Sequence, residues 1–177
     1  MSKTNPNPIR VLVLEDIAEM RLTIIDTLVG SPGPLDNGER RPFICSAACG
    51  SLEELAEKGL AMRAIDLAII DLALPGDPMG GLLAITAIRG VNEINPNAKI
   101  VVFTGRVGDT QQASIDVLLK LGPLRIWDLF IKGRPKDLVA RIVHKWEQQE
   151  AAARKYQEAA ARSLPIRQNP PPDCDWK

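Results

Sequence analysis

Short aliphatic runs that each end in a polar side chain, with stretches of helical periodicity between them, restrict this chain to an α/β fold. The runs are Arg10–Leu14 before Glu15 and Asp16, Asp66–Ile70 before Asp71, Lys99–Phe103 before Thr104, and Trp127–Ile131 before Lys132. All are of strand length, and the first three are too uniformly apolar for strands with one wet face, the pattern of a parallel sheet covered on both sides. Phe43–Ala47 supplies a further strand. Between the runs, Met20, Ile24 and Leu28 make a helical stripe over Ile17–Leu28, Ser51 and Glu54 form a capping box, Leu82–Ile88 is apolar in helical array, and Asp109–Leu121 reads as a helix stopped by Gly122 and Pro123. Gly30–Gly38 is dense in breakers and reads as a loop, long for an α/β connection.

Strands of a parallel sheet deliver their last residues to one edge, where open α/β folds bind ligands. Two of them bring Glu15, Asp16 and Asp71 to that edge. Three carboxylates held together repel unless a cation lies among them, so the pattern predicts a divalent metal.

Composition narrows the partners. The 177 residues suit one domain with an extension, and 22 basic against 22 acidic side chains leave no net field to attract nucleic acid or a membrane. No apolar stretch approaches the ~20 residues that span a bilayer, and Met1–Pro8 is a polar tail without a leader's apolar core. A cytoplasmic protein is expected. Cys45, Cys49 and Cys174 are odd in number and lack CxxC spacing, and His144 is the sole histidine, which argues against a disulfide framework or a zinc site.

From Pro135 a last helix runs beyond what a domain of this size needs. Val139, Ile142, Trp146, Gln149, Ala153, Tyr156, Ala160 and Ser163 recur at steps of three and four, the spacing of a coiled-coil seam. Pro165 ends the helix, and the segment to Lys177 reads as a flexible tail. The expected boundaries are therefore 1–8 for the N-terminal tail, 9–145 for the domain, 146–164 for the helical extension and 165–177 for the C-terminal tail.

The acids after the first strand, Asp71 with Pro75 four residues on, Thr104 and Lys132 fall in the order of the response regulator receiver domain, which Ile9–Lys145 resembles. The resemblance implies a flavodoxin-like doubly wound sheet of five parallel strands in the order 2-1-3-4-5. It implies Asp71 as the phosphoacceptor and Mg2+ held by Glu15, Asp16, Asp71 and the backbone carbonyl of Ala73. It also implies Thr104 on the phosphoryl group and Lys132 paired with it. Several positions depart from the family pattern. Glu15 stands where Asp is commoner, and Gly133 stands where a proline follows the lysine, commonly through a cis bond. Leu129 occupies the position of the aromatic that swings with the threonine. By strand alternation Phe130 faces the other side, and Trp127 shares the face of Leu129. Arg106 lies where receivers tune dephosphorylation.

The function expected from these residues is a stand-alone receiver of a two-component or phosphorelay pathway, acting through protein contact rather than as an enzyme. Its partners would be a histidine kinase or phosphotransfer protein and a downstream protein, with a homodimer through the last helix as a further expectation. The alternative is a pseudo-receiver, an interaction module of the same fold that takes no phosphate. A haloacid-dehalogenase-like hydrolase wants a second Asp at the position of Ala73. A flavodoxin-like flavin carrier would meet repulsion from Glu15 and Asp16.

Overall fold

A computed structural model of the chain describes residues 7–36, 38–58, 64–74, 76, 80–89, 98–105 and 121–163. The expected helix Asp109–Leu121, except its last residue, lies outside them, as do Pro75, Arg106, Cys174 and both tails beyond residues 7 and 163.

The elements follow the order β1 (Ile9–Leu14), α1 (Ala18–Val29), β2 (Leu35–Asp36), β3 (Glu39–Arg40), β4 (Phe43–Cys49), α2 (Leu52–Lys58), β5 (Leu67–Ile70), α3 (Gly80–Arg89), β6 (Lys99–Thr104), a 3-10 turn (Gly122–Leu124), β7 (Asp128–Ile131) and α4 (Pro135–Ser163). Five strands form one sheet in the order β4-β1-β5-β6-β7. All four pairings are parallel. This is the expected 2-1-3-4-5 order, with the small β2-β3 hairpin counted apart.

Alternation along the strands divides the core between the two faces of the sheet. Leu12, Leu14, Ala68, Ile70, Ile100 and Val102 pack with α2 and α3, whereas Val11, Val13, Leu67, Ile69, Val101 and Phe103 pack with α1 and α4. Burying both faces is what makes β5 and β6 continuous aliphatic runs.

Three local expectations change. Gly30–Gly38 is not simply a loop: Leu35 and Asp36 pair antiparallel with Arg40 and Glu39. The hairpin rests on α4, because Glu147 Oε1 accepts bonds from the Leu35 amide at 3.0 Å and from the Arg40 guanidinium at 2.9 Å. Gly33, at φ 67°, brings its backbone so close to the Arg41 carbonyl that a Cβ would lie 1.9 Å from that oxygen. The helix expected from Leu82 opens earlier, at Gly80 and Gly81. Trp127 precedes β7, so strand alternation does not govern it. It packs with Phe130 in the α4-side core, while Leu129 packs on the opposite face.

The capping box forms with one change of partner. The Glu54 amide donates to Ser51 Oγ at 3.3 Å, and Glu54 Oε2 accepts from the Gly50 amide at 2.7 Å.

The last helix divides in two. Leu138, Val139, Ile142 and Trp146 are buried, but beyond Gln149 the helix contributes nothing to the core, and Tyr156 is 78% exposed. Gln149 also leaves the expected seam, since its Oε1 accepts from Trp127 Nε1 at 2.8 Å and from Lys99 Nζ at 3.2 Å. Among the described residues no helix is long and apolar enough to cross a membrane.

Candidate functional site

The C-terminal ends of β1, β5, β6 and the turn after β7 converge on one charged cluster. Glu15 follows Leu14 and is 1% exposed, Asp71 follows Ile70 and is 3% exposed, and Thr104 closes β6 fully buried. Parallel register makes this convergence unavoidable: Leu14 lies beside Ile70, Ile70 beside Val102, and Thr104 beside Ile131. The strands thus push polar side chains into a place where they must find partners or remain desolvated.

Lys132 is the principal partner. Its Nζ donates to Asp71 Oδ2 at 2.6 Å and to Glu15 Oε1 at 2.8 Å. Its amide donates to the Thr104 carbonyl at 2.7 Å, so the main chain continues the β6-β7 ladder and aims the side chain at the cluster. There is no cis bond among the described residues, and Lys132 meets both carboxylates with Gly133 behind it. Gly105 leaves room beside its stem, where a Cβ would sit 3.6 Å from Lys132 Cδ, an ordinary contact.

The charges are only partly balanced. Burial pushes the Glu15 carboxyl above its ordinary range, aided by the charges of Asp71 and Asp16, and the Lys132 ammonium only partly reverses this. Burial works against the Lys132 cation too, but the hydrogen bonds and charges of Asp71 and Glu15 outweigh it and hold its pKa above the usual lysine value. Glu15 Oε2 is buried with no hydrogen-bond partner. An orphaned carboxylate oxygen in such a place is a costly arrangement for the cluster by itself.

Ligand atoms of Glu15, Asp16 and Asp71 lie within 4.8 Å of one another. Together with the orphaned Glu15 oxygen, this oxygen-rich set suits a hard divalent cation such as Mg2+. Asp16 is half-buried at the mouth. Ala73 is exposed, and its amide donates to Asp71 Oδ1 at 3.3 Å, which leaves that oxygen the more loosely held of the two.

Two residues that shape the site went unnoticed in the sequence. The Arg21 guanidinium donates to the backbone carbonyls of both Glu15 and Asp16, the latter at 3.4 Å, and so clamps the acidic turn from the first turns of α1. A basic residue five positions past an acid pair, on the helix it opens, was the available signal. Gly81 is the second. A Cβ there would lie 1.9 Å from the Asp71 carbonyl oxygen and 2.6 Å from Leu72 Cα, and its amide donates to the Leu72 carbonyl at 3.0 Å. A glycine pair at a helix start is a sign of such close approach.

Of the positions that resemblance assigned, Glu15, Asp16, Asp71 and Lys132 come together, and Thr104 ends the neighbouring strand. Leu129 fills the place of the usual aromatic and is packed against the α3-side core. Phe130 packs against Phe103 on the other face, with the rings tilted by 39° at a centroid distance of 5.9 Å.

No family model and no curated protein matches the chain. Solved structures do. A signal receiver domain of a two-component signal transduction histidine kinase from Clostridium thermocellum superposes with a TM-score of 0.53 and 19% identity, over 78% of this chain and 94% of that one. The N-terminal domain of the nisin resistance regulator NsrR gives a TM-score of 0.52 and 12% identity, over 76% and 94%. A probable two-component system response regulator/GGDEF domain protein gives 0.52 and 17%, over 80% of this chain and 50% of that one. With the strand order and the edge cluster, these likenesses show that the chain has the fold of response regulator receiver domains.

Proposed function

We propose that the chain is a receiver of a two-component or phosphorelay pathway, phosphorylated on Asp71 in a Mg2+-dependent reaction and read out by protein binding. The observation that carries this reading is the Glu15-Asp71-Lys132 cluster, whose two carboxylates are buried and whose Glu15 Oε2 is orphaned. Glu15, Asp16, Asp71 and the carbonyl of Ala73 would hold Mg2+, which when bound supplies positive charge against an anionic donor.

The chain's own residues carry the rest. An Asp71 carboxylate oxygen forms the new bond to phosphorus as the donor's bond to phosphorus breaks, and the leaving group departs with the bonding electrons and takes up a proton. For a histidine kinase or phosphotransfer partner that bond is a phosphorus–nitrogen bond and the leaving group an imidazole. Lys132 stays beside the phosphoryl oxygens as its cation, and the Thr104 hydroxyl donates a hydrogen bond to one of them. Packing of Leu129 into the core leaves no inward-swinging aromatic at that position, so the readout would depend on Thr104 and the β6 end.

The exposed half of α4 beyond Gln149 is the natural docking arm for a downstream protein or a second copy. Arg106 lies outside the described residues. If its cation tunes dephosphorylation, as the resemblance implies for its position, an Arg106→Ala variant should lose phosphate faster.

Intact mass of the full chain after incubation with a small-molecule phosphodonor tests the reading. One added phosphoryl group that needs Mg2+ and is absent from Asp71→Asn is the expected result. No gain from either the small donor or a histidine kinase panel would favour the pseudo-receiver.

A further inference from the structure

The turn that carries Glu15 and Asp16 is held from outside itself. Helix α1 opens without a side-chain cap, because Ile17 stands where Ser, Thr, Asp or Asn usually binds the first free amides. The hold comes from one turn further on. The Arg21 guanidinium donates to the Glu15 carbonyl and, at 3.4 Å, to the Asp16 carbonyl, while the Arg21 amide donates to the Ile17 carbonyl at 2.9 Å. Three successive carbonyls thus bond to one residue. The Glu15 amide in turn donates to the Cys49 carbonyl at 3.0 Å, so both peptide groups that flank the Glu15 side chain are tied.

The guanidinium fits only because the chain after β4 makes room for it. A Cβ on Gly50 would lie 2.9 Å from Arg21 Nη1 and 3.5 Å from Cζ. The Gly50 amide donates to Glu54 Oε2 at 2.7 Å, so the capping box of α2 fixes the wall against which Arg21 rests. Such a hold has a task. Ligand atoms of Glu15, Asp16 and Asp71 lie within 4.8 Å of one another, and like charges this close repel. Repulsion would swing Asp16, half-buried at the mouth, toward water unless its backbone resists.

We infer that Arg21 is a positioning residue for the metal centre: its fork sets the backbone of Glu15 and Asp16 before the cation arrives, and Gly50 keeps the space the fork needs. The inference rests on the receiver reading of the acidic edge. Mg2+ demands short bonds in near-octahedral geometry, whereas Ca2+ accepts a looser set of ligands. Ligands fixed in advance therefore favour Mg2+, and loosening them should cost Mg2+ more than Ca2+. Lysine would keep the charge of Arg21 but bring one compact ammonium where the fork reaches two carbonyls.

Calorimetric titration of magnesium chloride and, separately, calcium chloride into the full chain, beside Arg21→Lys and Gly50→Ala, tests it. Mg2+ affinity should fall about tenfold in Arg21→Lys and about threefold in Gly50→Ala, with Ca2+ affinity changed by no more than about twofold in either. A protein that is merely less well folded would lose both ions alike. Mg2+ affinity of Arg21→Lys within about twofold of wild type, or equal losses for the two ions, overturns the inference and leaves the receiver reading standing. A wild-type chain that binds no Mg2+ overturns both. Should Arg21→Lys fail to fold, Gly50→Ala decides by the same criteria, since its methyl would meet only the guanidinium and its backbone is not left-handed.

Discussion

The two edges of one sheet meet the same problem with opposite charges. At the C-terminal edge the buried carboxylates of Glu15 and Asp71 meet half-buried Lys132 in direct contact, with charge set against charge and one carboxylate oxygen left over. At the N-terminal edge Lys99, Arg89 and Lys145 lie half-buried against rings, amides and carbonyls. The first edge leaves a buried carboxylate oxygen without a donor, whereas at the second the described lysines rest largely on rings and neutral oxygens. Between them the strands are almost wholly aliphatic, so their interiors decide the fold and their ends decide the chemistry.

The backbone around the acidic edge is its most fragile support. Gly81→Ala would drive a Cβ into the Asp71 carbonyl and the Leu72 backbone, none of which is a flexible side-chain tip. The expected loss is about 3 kcal/mol or more in urea unfolding, together with loss of phosphate acceptance. The same change at exposed Gly122, where a Cβ meets nothing, should cost well under 1 kcal/mol.

Lys132→Met comes next. It leaves two buried carboxylates without their cation, and should destabilise the metal-free protein by roughly 2–4 kcal/mol, with much of the loss recovered by Mg2+. Unfolding with and without the metal measures both parts.

Glu15→Gln should separate stability from function. Burial holds the Glu15 pKa above 4.5, so the folded state disfavours its charge, and the charge's stability penalty is present above the folded pKa and relieved as pH falls toward the unfolded value. Removing the charge should leave metal-free stability unchanged or raised by up to about 1 kcal/mol, while Mg2+ affinity falls at least about tenfold.

The smallest effect belongs to Asp128, whose pKa lies below 3.8 because, although burial opposes it, the Arg141 fork and Lys145 prevail. Its contribution is present above the unfolded value and is lost as pH falls through the folded one. Asp128→Asn should cost about 1 kcal/mol near neutrality and flatten that acid limb.

The difference between the edges also explains what the sequence made legible. Asp71, Glu15 and Lys132 could be found because each ends an aliphatic run, and parallel register brings run ends together whatever else the chain does. A cavity at the N-terminal edge gave no such sign, because its Arg89, Lys99, Arg125 and Lys145 belong to four separate segments and include a left-handed residue, Arg125 at φ 51°. Gly81 and Arg21 escaped for a related reason: they act on backbone carbonyls, which no side-chain pattern displays. The β2-β3 hairpin was hidden in a run of breakers, since its anchor, Glu147, is more than a hundred positions away. Trp127 lies on the Phe130 face because it precedes β7, where strand alternation does not reach.

The most direct measurement is calorimetric titration of Mg2+ into the full chain, beside Glu15→Gln and Asp71→Asn. A single site that is lost or weakened at least about tenfold in both variants is the predicted result. An absence of Mg2+ binding, or binding that neither substitution disturbs, would contradict the assignment of the acidic edge as a metal-dependent phosphoacceptor site.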